Sequence, residues 1–251
     1  RFLRLVTPYS SLDYDAVVGC YSKTPLNSGY FPLYKSWLYA SLTKNSLGKE
    51  TEPIPCDQFT ASCAGIRAKT FSDVQGFDEW FGPGMDFENE ELGSRLFKSH
   101  KIVHDHKIKA AHHFPKFLKM MKTFFLRSSL WFEMFLVQKR FNKIGNSFSK
   151  GLGFICLLGA LLSLPIVPML PSFAWTVPAC LFLFHLYSSL SFYRFVCKQG
   201  LRFLPIMVIL NFIGALSISS GACFGLARVI FLRPTICCWS AVGGSSVWRF
   251  L

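Results

Sequence analysis

Three long apolar stretches in the second half of the chain restrict its fold more than any other feature. They cover residues 151–170, 173–193 and 203–232. A helix rises 1.5 Å per residue, so about 20 residues cross the ~30 Å hydrocarbon core of a bilayer. The stretches therefore predict three transmembrane helices, followed by a tail at residues 233–251.

The distribution of charge supports a membrane protein. Residues 1–116 have 14 Lys and Arg against 13 Asp and Glu, whereas residues 117–251 have 13 Lys and Arg and one acid, Glu133. These basic residues flank apolar runs, as expected beside an anionic cytoplasmic leaflet. The pattern disfavours nucleic-acid binding, the other common explanation of a pI near 9.5. It predicts that residues 1–150 and the loop after the second span are cytoplasmic.

Residues 117–150 differ from both neighbouring parts, because Phe, Leu, Met and Trp alternate there with Lys and Arg. A basic, aromatic-rich segment with few acids is typical of amphipathic helices that lie in the membrane interface. The alternative is an ordinary amphipathic helix packed on the globular domain.

Residues 1–116 alternate between strand and helix patterns. Strands are expected at 15–21, 59–67, 101–105 and 108–112, and helices at 34–47, 69–74 and 88–100. This alternation predicts an α/β layer structure. In the last helix Leu92, Leu96 and Phe97 share one face, and Leu92 and Leu96 should pack inward. Glu90 and Glu91 should be more solvated than Glu88 and Asn89. The segment around His104, Asp105 and His106 is expected to be a solvated turn.

Three motifs occur in order within this first part: AGIRAKTF at 64–71, GFDE at 76–79 and FENEELGSRL at 87–96. A strand ending in histidine follows at 108–112, and DAVVGCY at 15–21 precedes them. Together they resemble membrane-bound family 2 glycosyltransferases. The resemblance covers roughly residues 13–140, and the chain is similar to the C-terminal portion of such enzymes. It implies a GT-A fold, here only its second half.

The resemblance also implies a reaction, in which a sugar moves from a nucleotide-sugar donor to a lipid-linked or glycan acceptor at the membrane. Inverting transfer needs a base that takes the proton of the acceptor hydroxyl. The acid pair that opens the family's helix supplies it, and that pair matches Glu88 and Asn89. Because Asn89 is an amide, Glu88, Asp86 or Glu90 is expected to act instead, or the protein is impaired.

Other site residues follow from the same resemblance. Gly65, Arg95 and Trp131 are expected to bind substrate, although Trp131 also suits interface anchoring. A divalent metal, Mg²⁺ or Mn²⁺, is expected to neutralise the donor diphosphate. His112 matches a histidine that faces the metal or phosphates. The main metal motif belongs to the first half of the fold, and the chain is expected to begin after it.

Two other functions remain open. An impaired homologue would bind or scaffold without turnover. A transporter or channel subunit would need polar groups inside the membrane, and the spans contain His185, Asn211 and Arg228.

Overall fold

The computed structural model describes residues 14–47, 53–77, 88–138, 148–231, 236–242 and 245–250. The described residues up to Phe114 form one compact unit, and those from Pro115 form a second.

The first unit contains a four-stranded mixed sheet in the order β2-β4-β1-β3. Its strands are β1 (Ala16–Tyr21), β2 (Ile54–Pro55), β3 (Ala64–Ile66) and β4 (Ile102–Ala110). Its helices are α1 (Tyr30–Leu47), α2 (Ala68–Asp73) and α3 (Glu88–Ser99). β1 runs parallel to β4 and antiparallel to β3. The α/β layer structure is confirmed at this level, and the predicted GT-A fold stays a prediction.

Both faces of β1 are buried, as its run of β-branched residues predicts. Ala16 and Val18 pack with Leu92 and Leu96 of α3, both fully buried, whereas Val17 faces a second cluster. Burying each leucine contributes roughly 1.5–3 kcal/mol. The inward placement of Leu92 and Leu96 is therefore confirmed, but Phe97 is exposed.

One strand, Ile102–Ala110, replaces the two short strands expected at 101–105 and 108–112. β4 pairs with β1 from Ile102 to Ala110, across an irregularity between Val18 and Cys20. His104, Asp105 and His106 are buried within it, so the predicted solvated turn is wrong. The strand lies between β1 and β2, and its register with β1 jumps from His104 to Lys109, so Asp105 and His106 lie in a bulge inside the sheet and not in a surface turn.

The second unit is mainly helical. It contains α4 (Phe117–Gln138), α5 (Phe148–Ser163), α6 (Thr176–Gln199) and α7 (Leu204–Phe231), followed by a hairpin of β5 (Ile236–Val242) and β6 (Ser245–Phe250). The hairpin lies within the predicted tail at residues 233–251.

Two helical segments among the described residues are long and apolar enough to cross a membrane: Ser172–Gln199 and Leu201–Phe231. They correspond to the second and third predicted spans. The first predicted span, at 151–170, instead forms the 16-residue helix α5, which ends at Ser163. Pro165 and Pro168 follow, and proline lacks the N–H that helix continuation requires.

Helix α4 packs lengthwise along α7 through a row of small residues. The Ser217 hydroxyl donates to the Met121 carbonyl at 2.7 Å. A β-carbon at Gly221 would lie 2.9 Å from the Cα of Phe125, and one at Gly225 would lie 3.0 Å from the Cα of Ser129. The contacting residues advance in steps of four along both helices, from Met121 to Ser129 on α4 and from Ser217 to Gly225 on α7. The order is the same on both, so the helices are parallel. We call this contact the α4–α7 seam.

The interfacial placement of α4 stays a prediction, and the structure adds that α4 packs along α7. The small side chains of α7 are the reason for this packing, because they let two backbones approach closely. That signal lies in α7, 96 residues along the chain from its contact on α4, and the composition of α4 alone does not contain it.

The polar side chains within the spans join helices to one another. His185 Nδ1 lies 3.2 Å from the Gly153 carbonyl, which makes this ring nitrogen the donor. Asn211 donates to Ser189 and to Tyr193. Arg228 donates to Ser129. His185, Asn211 and Arg228 are the polar residues that a transport pathway would need. The hydrogen bonds give each of them a structural role between helices.

Candidate functional site

The carboxyl ends of the parallel strands β1 and β4 carry a group of aromatic rings. Tyr21 ends β1, and the chain leaving β4 brings His112 and Phe114 beside it. Ring centroids are 4.9 Å apart for Tyr21 and His112, 4.9 Å for His112 and Phe114, and 5.2 Å for Tyr21 and Tyr39 of α1. We call Tyr21, Tyr39, His112 and Phe114 the strand-end cluster. Ligands of open α/β sheets bind outside the carboxyl ends of strands, which makes this edge the candidate site.

Backbone and amide hydrogen bonds hold the strand-end cluster in place. The Asn27 side-chain amide donates to the Phe114 carbonyl at 2.9 Å and accepts from the Phe114 N–H at 3.0 Å. The Leu26 N–H donates to the His112 carbonyl at 3.0 Å. The loop after β1 thus fixes the chain leaving β4, so the rings are positioned before any ligand arrives.

Positive charge lies against this cluster. The Lys35 Nζ is 4.7 Å from the centroid of the Tyr39 ring. Partial burial, together with His113 and Lys35, lowers the pKa of His112 below its ordinary value of 6.5. His112 is therefore neutral near pH 7, and its ring can accept or donate a hydrogen bond without carrying a charge.

Helix α3 opens with the predicted catalytic pair, which we call the helix mouth (Glu88 and Asn89). Both residues are half-buried. The Asn89 Oδ1 accepts from the Ala61 N–H at 2.8 Å, and its Nδ2 donates to Glu88 Oε1 at 2.6 Å. Asn89 therefore orients the Glu88 carboxylate.

The helix mouth is connected to the strand-end cluster through one short turn, the 3₁₀ segment Ala61–Cys63. Its Ala61 binds Asn89, and its Ser62 hydroxyl lies 2.6 Å from the Tyr21 hydroxyl. Sequence reasoning predicted Glu88, Asn89 and His112 but missed Tyr21, Tyr39 and Ser62 as site residues. The position of Tyr21 at a strand end was the available signal.

Arg95 and Glu91 form a buried ion pair behind the mouth. The Arg95 Nε donates to Glu91 Oε1 at 2.6 Å, and Glu91 is 2% exposed. The expectation that Glu91 is solvated is wrong, because it lies on the inward face of α3 and Arg95 neutralises it. Arg95 also donates to the carbonyls of Val74 and Gly76. Its donors thus hold the loop after α2, and the predicted substrate contact stays a prediction.

The remaining predicted residues lie in different places. Gly65 is in β3 and pairs with Val17 of β1, so its backbone belongs to the sheet. Trp131 is half-buried in α4, within the second unit. Asp86 lies outside the described residues.

The expected divalent metal stays a prediction. Within the described ranges, no three His, Cys, Asp or Glu side chains converge closely enough to hold a cation. His112 packs between the rings of Tyr21 and Phe114. The Asp15 carboxylate accepts from the Lys101 N–H at 2.8 Å and from the Thr70 hydroxyl at 3.3 Å, which is a structural role at the start of β1.

Comparisons of the chain with family models, with curated proteins and with solved structures found no match.

Proposed function

We propose that this chain is the acceptor-side part of a membrane-bound family 2 glycosyltransferase. It would transfer a sugar from a nucleotide-sugar to a lipid-linked or membrane-proximal acceptor at the cytoplasmic face. The observation that carries the proposal is the connection of the helix mouth, through Ser62, to the rings at the ends of β1 and β4. The ordered motifs at 64–96 and the two membrane-length helical segments support it.

Glu88 is the proposed base. In an inverting transfer the acceptor oxygen forms a bond to the anomeric carbon while the bond to the leaving diphosphate breaks. The acceptor proton passes to the Glu88 carboxylate, and the diphosphate leaves with the electron pair. Asn89 keeps that carboxylate oriented through its 2.6 Å hydrogen bond. The neutral ring of His112 and the hydroxyl of Tyr21 line the same edge and suit contacts with sugar or phosphate oxygens.

The test is turnover of a nucleotide-sugar by the full-length membrane protein. Glu88→Gln should lower turnover on the order of a hundredfold or more, the usual scale for a lost general base. Glu90→Gln, one position along the same helix, is the matched control and should change it little. If Asp86→Asn abolished turnover while Glu88→Gln left it intact, the base would be Asp86.

A second function, binding without catalysis, is favoured by one observation. The position that resembles the family's base is the amide Asn89. Its side chain is hydrogen-bonded to the Ala61 N–H and to the Glu88 carboxylate. In an impaired protein, Asn89→Asp should create turnover where the natural protein has none. In an active enzyme the same change should lower turnover, because it places a second carboxylate against Glu88.

A further inference from the structure

A groove of about 540 Å³ runs between α6 and α7 beside the loop that connects them. Leu186 and Leu190 of α6 form one wall, and Leu204 and Val208 of α7 form the other. These four side chains are exposed or only half-buried. The volume lies within the range of ~300–1,000 Å³ that is usual for ligand sites.

The end of the groove near the connecting loop is basic. Arg194 and Lys198 line it, and both are exposed. They follow Leu186 and Leu190 at intervals of four residues, so all four share one face of α6. The sequence has no Asp or Glu between residues 172 and 231. No acid on α6, on α7 or in their connection therefore neutralises these two cations.

The order of groups along this face matches an anionic amphiphile. Eight residues separate Arg194 from Leu186, so the apolar part of the groove follows the basic end for about 12 Å of helix. Half of the ~30 Å hydrocarbon core is about 15 Å. An amphiphile with its head at the basic end would therefore have most of its chain within one leaflet covered by the groove.

We propose that this groove binds an anionic phospholipid, with the phosphate at Arg194 and Lys198 and one acyl chain along Leu186, Leu190 and Val208. The positive-inside rule places the basic connection on the cytoplasmic side, where anionic lipids are concentrated. The proposal rests on the membrane insertion of α6 and α7 and is independent of sugar transfer.

Native mass spectrometry of the full chain, released from mixed-lipid nanodiscs, tests the proposal. The natural protein should retain phosphatidylglycerol over phosphatidylcholine. Arg194→Gln with Lys198→Gln should reduce that preference about 30-fold, because each cation near an anionic lipid contributes roughly fivefold. Leu190→Trp, which fills the channel, should lower phosphatidylglycerol retention with both cations present.

Arg202→Gln is the matched control. Arg202 is exposed in the same connection and stacks on the Phe203 ring at 4.8 Å, but it does not line the groove. This variant should keep the lipid preference. An equal loss with Arg202→Gln would overturn the proposal in favour of diffuse surface charge. Displacement of phosphatidylglycerol by inorganic phosphate, or by an isoprenoid phosphate, would overturn the phospholipid as the occupant.

Discussion

Replacing Gly221 with alanine should weaken the α4–α7 seam. The added β-carbon would lie 2.9 Å from both the carbonyl carbon and the Cα of Phe125, and closer still to its carbonyl oxygen. Ordinary contacts of a β-carbon are 3.4–4 Å. These atoms belong to the backbone and cannot rotate away, so α4 must move outward by at least about half an ångström.

The movement of α4 lowers stability because it weakens contacts along the whole α4–α7 seam. The hydrogen bonds from Ser217 to Met121 at 2.7 Å and from Arg228 to Ser129 at 2.9 Å lie on either side of Gly221, and both lengthen when α4 moves. Overpacking a close contact costs about 1–3 kcal/mol. For a chain of this size that corresponds to a fall of roughly 3–10 °C in Tm.

Gly151→Ala provides the matched control, because a β-carbon at Gly151 of α5 would meet nothing within 4 Å. The assay is thermal unfolding of the purified full-length chain in detergent, followed by tryptophan fluorescence. Gly221→Ala should unfold several degrees below the natural protein, whereas Gly151→Ala should not. Equal stability of the two variants would refute the close helix contact.

Three further outcomes are expected. Arg95→Met should lower the free energy of unfolding, measured with a chemical denaturant, by about 3–5 kcal/mol, because it leaves Glu91 buried without its cation. Lys69→Met is the control: Lys69 forms an exposed pair with Asp73, and its loss should cost less than about 1 kcal/mol. Burial and His106 lower the pKa of His104 to about 4. As the pH is lowered, His104 therefore takes up a proton in the unfolded chain before it does so in the folded protein. The free energy of unfolding should fall by up to about 3 kcal/mol from pH 6.5 to pH 4, and His104→Gln should remove that loss. A reporter fused at position 200 should lie in the cytoplasm and one at 171 on the opposite side; both on one side would contradict the proposed topology.

Local patterns predicted the elements that depend on local sequence. β1 follows from its β-branched run, and the inward face of α3 follows from the spacing of Leu92 and Leu96. The apolar stretches at 173–193 and 203–232 became the two membrane-length helical segments. In each case the residues that decide the structure lie within the element itself.

One feature missed from the sequence is local. Glu91 was expected in solvent, yet it is buried and pairs with Arg95 four residues later on α3, a spacing at which opposite charges on a helix meet.

The other missed features depend on partners far along the chain. Strand β4 is continuous because β1 pairs with both of its ends, at Ile102 to His104 and at Lys109 to Ala110. In the candidate site, Ser62 and Tyr21 meet across 41 residues. No spacing rule relates such pairs, because their approach follows from sheet topology.

The most direct test of the central claim is to follow the sugar into the membrane. Membranes that contain the full-length protein are incubated with a panel of radiolabelled nucleotide-sugars, and label is counted in the lipid extract and in membrane-bound polymer. One donor should deliver label to one of these fractions, and Glu88→Gln should reduce that label on the order of a hundredfold. Label transfer that is undiminished by Glu88→Gln, or donor binding without transfer by the natural protein, would contradict the proposed sugar transfer.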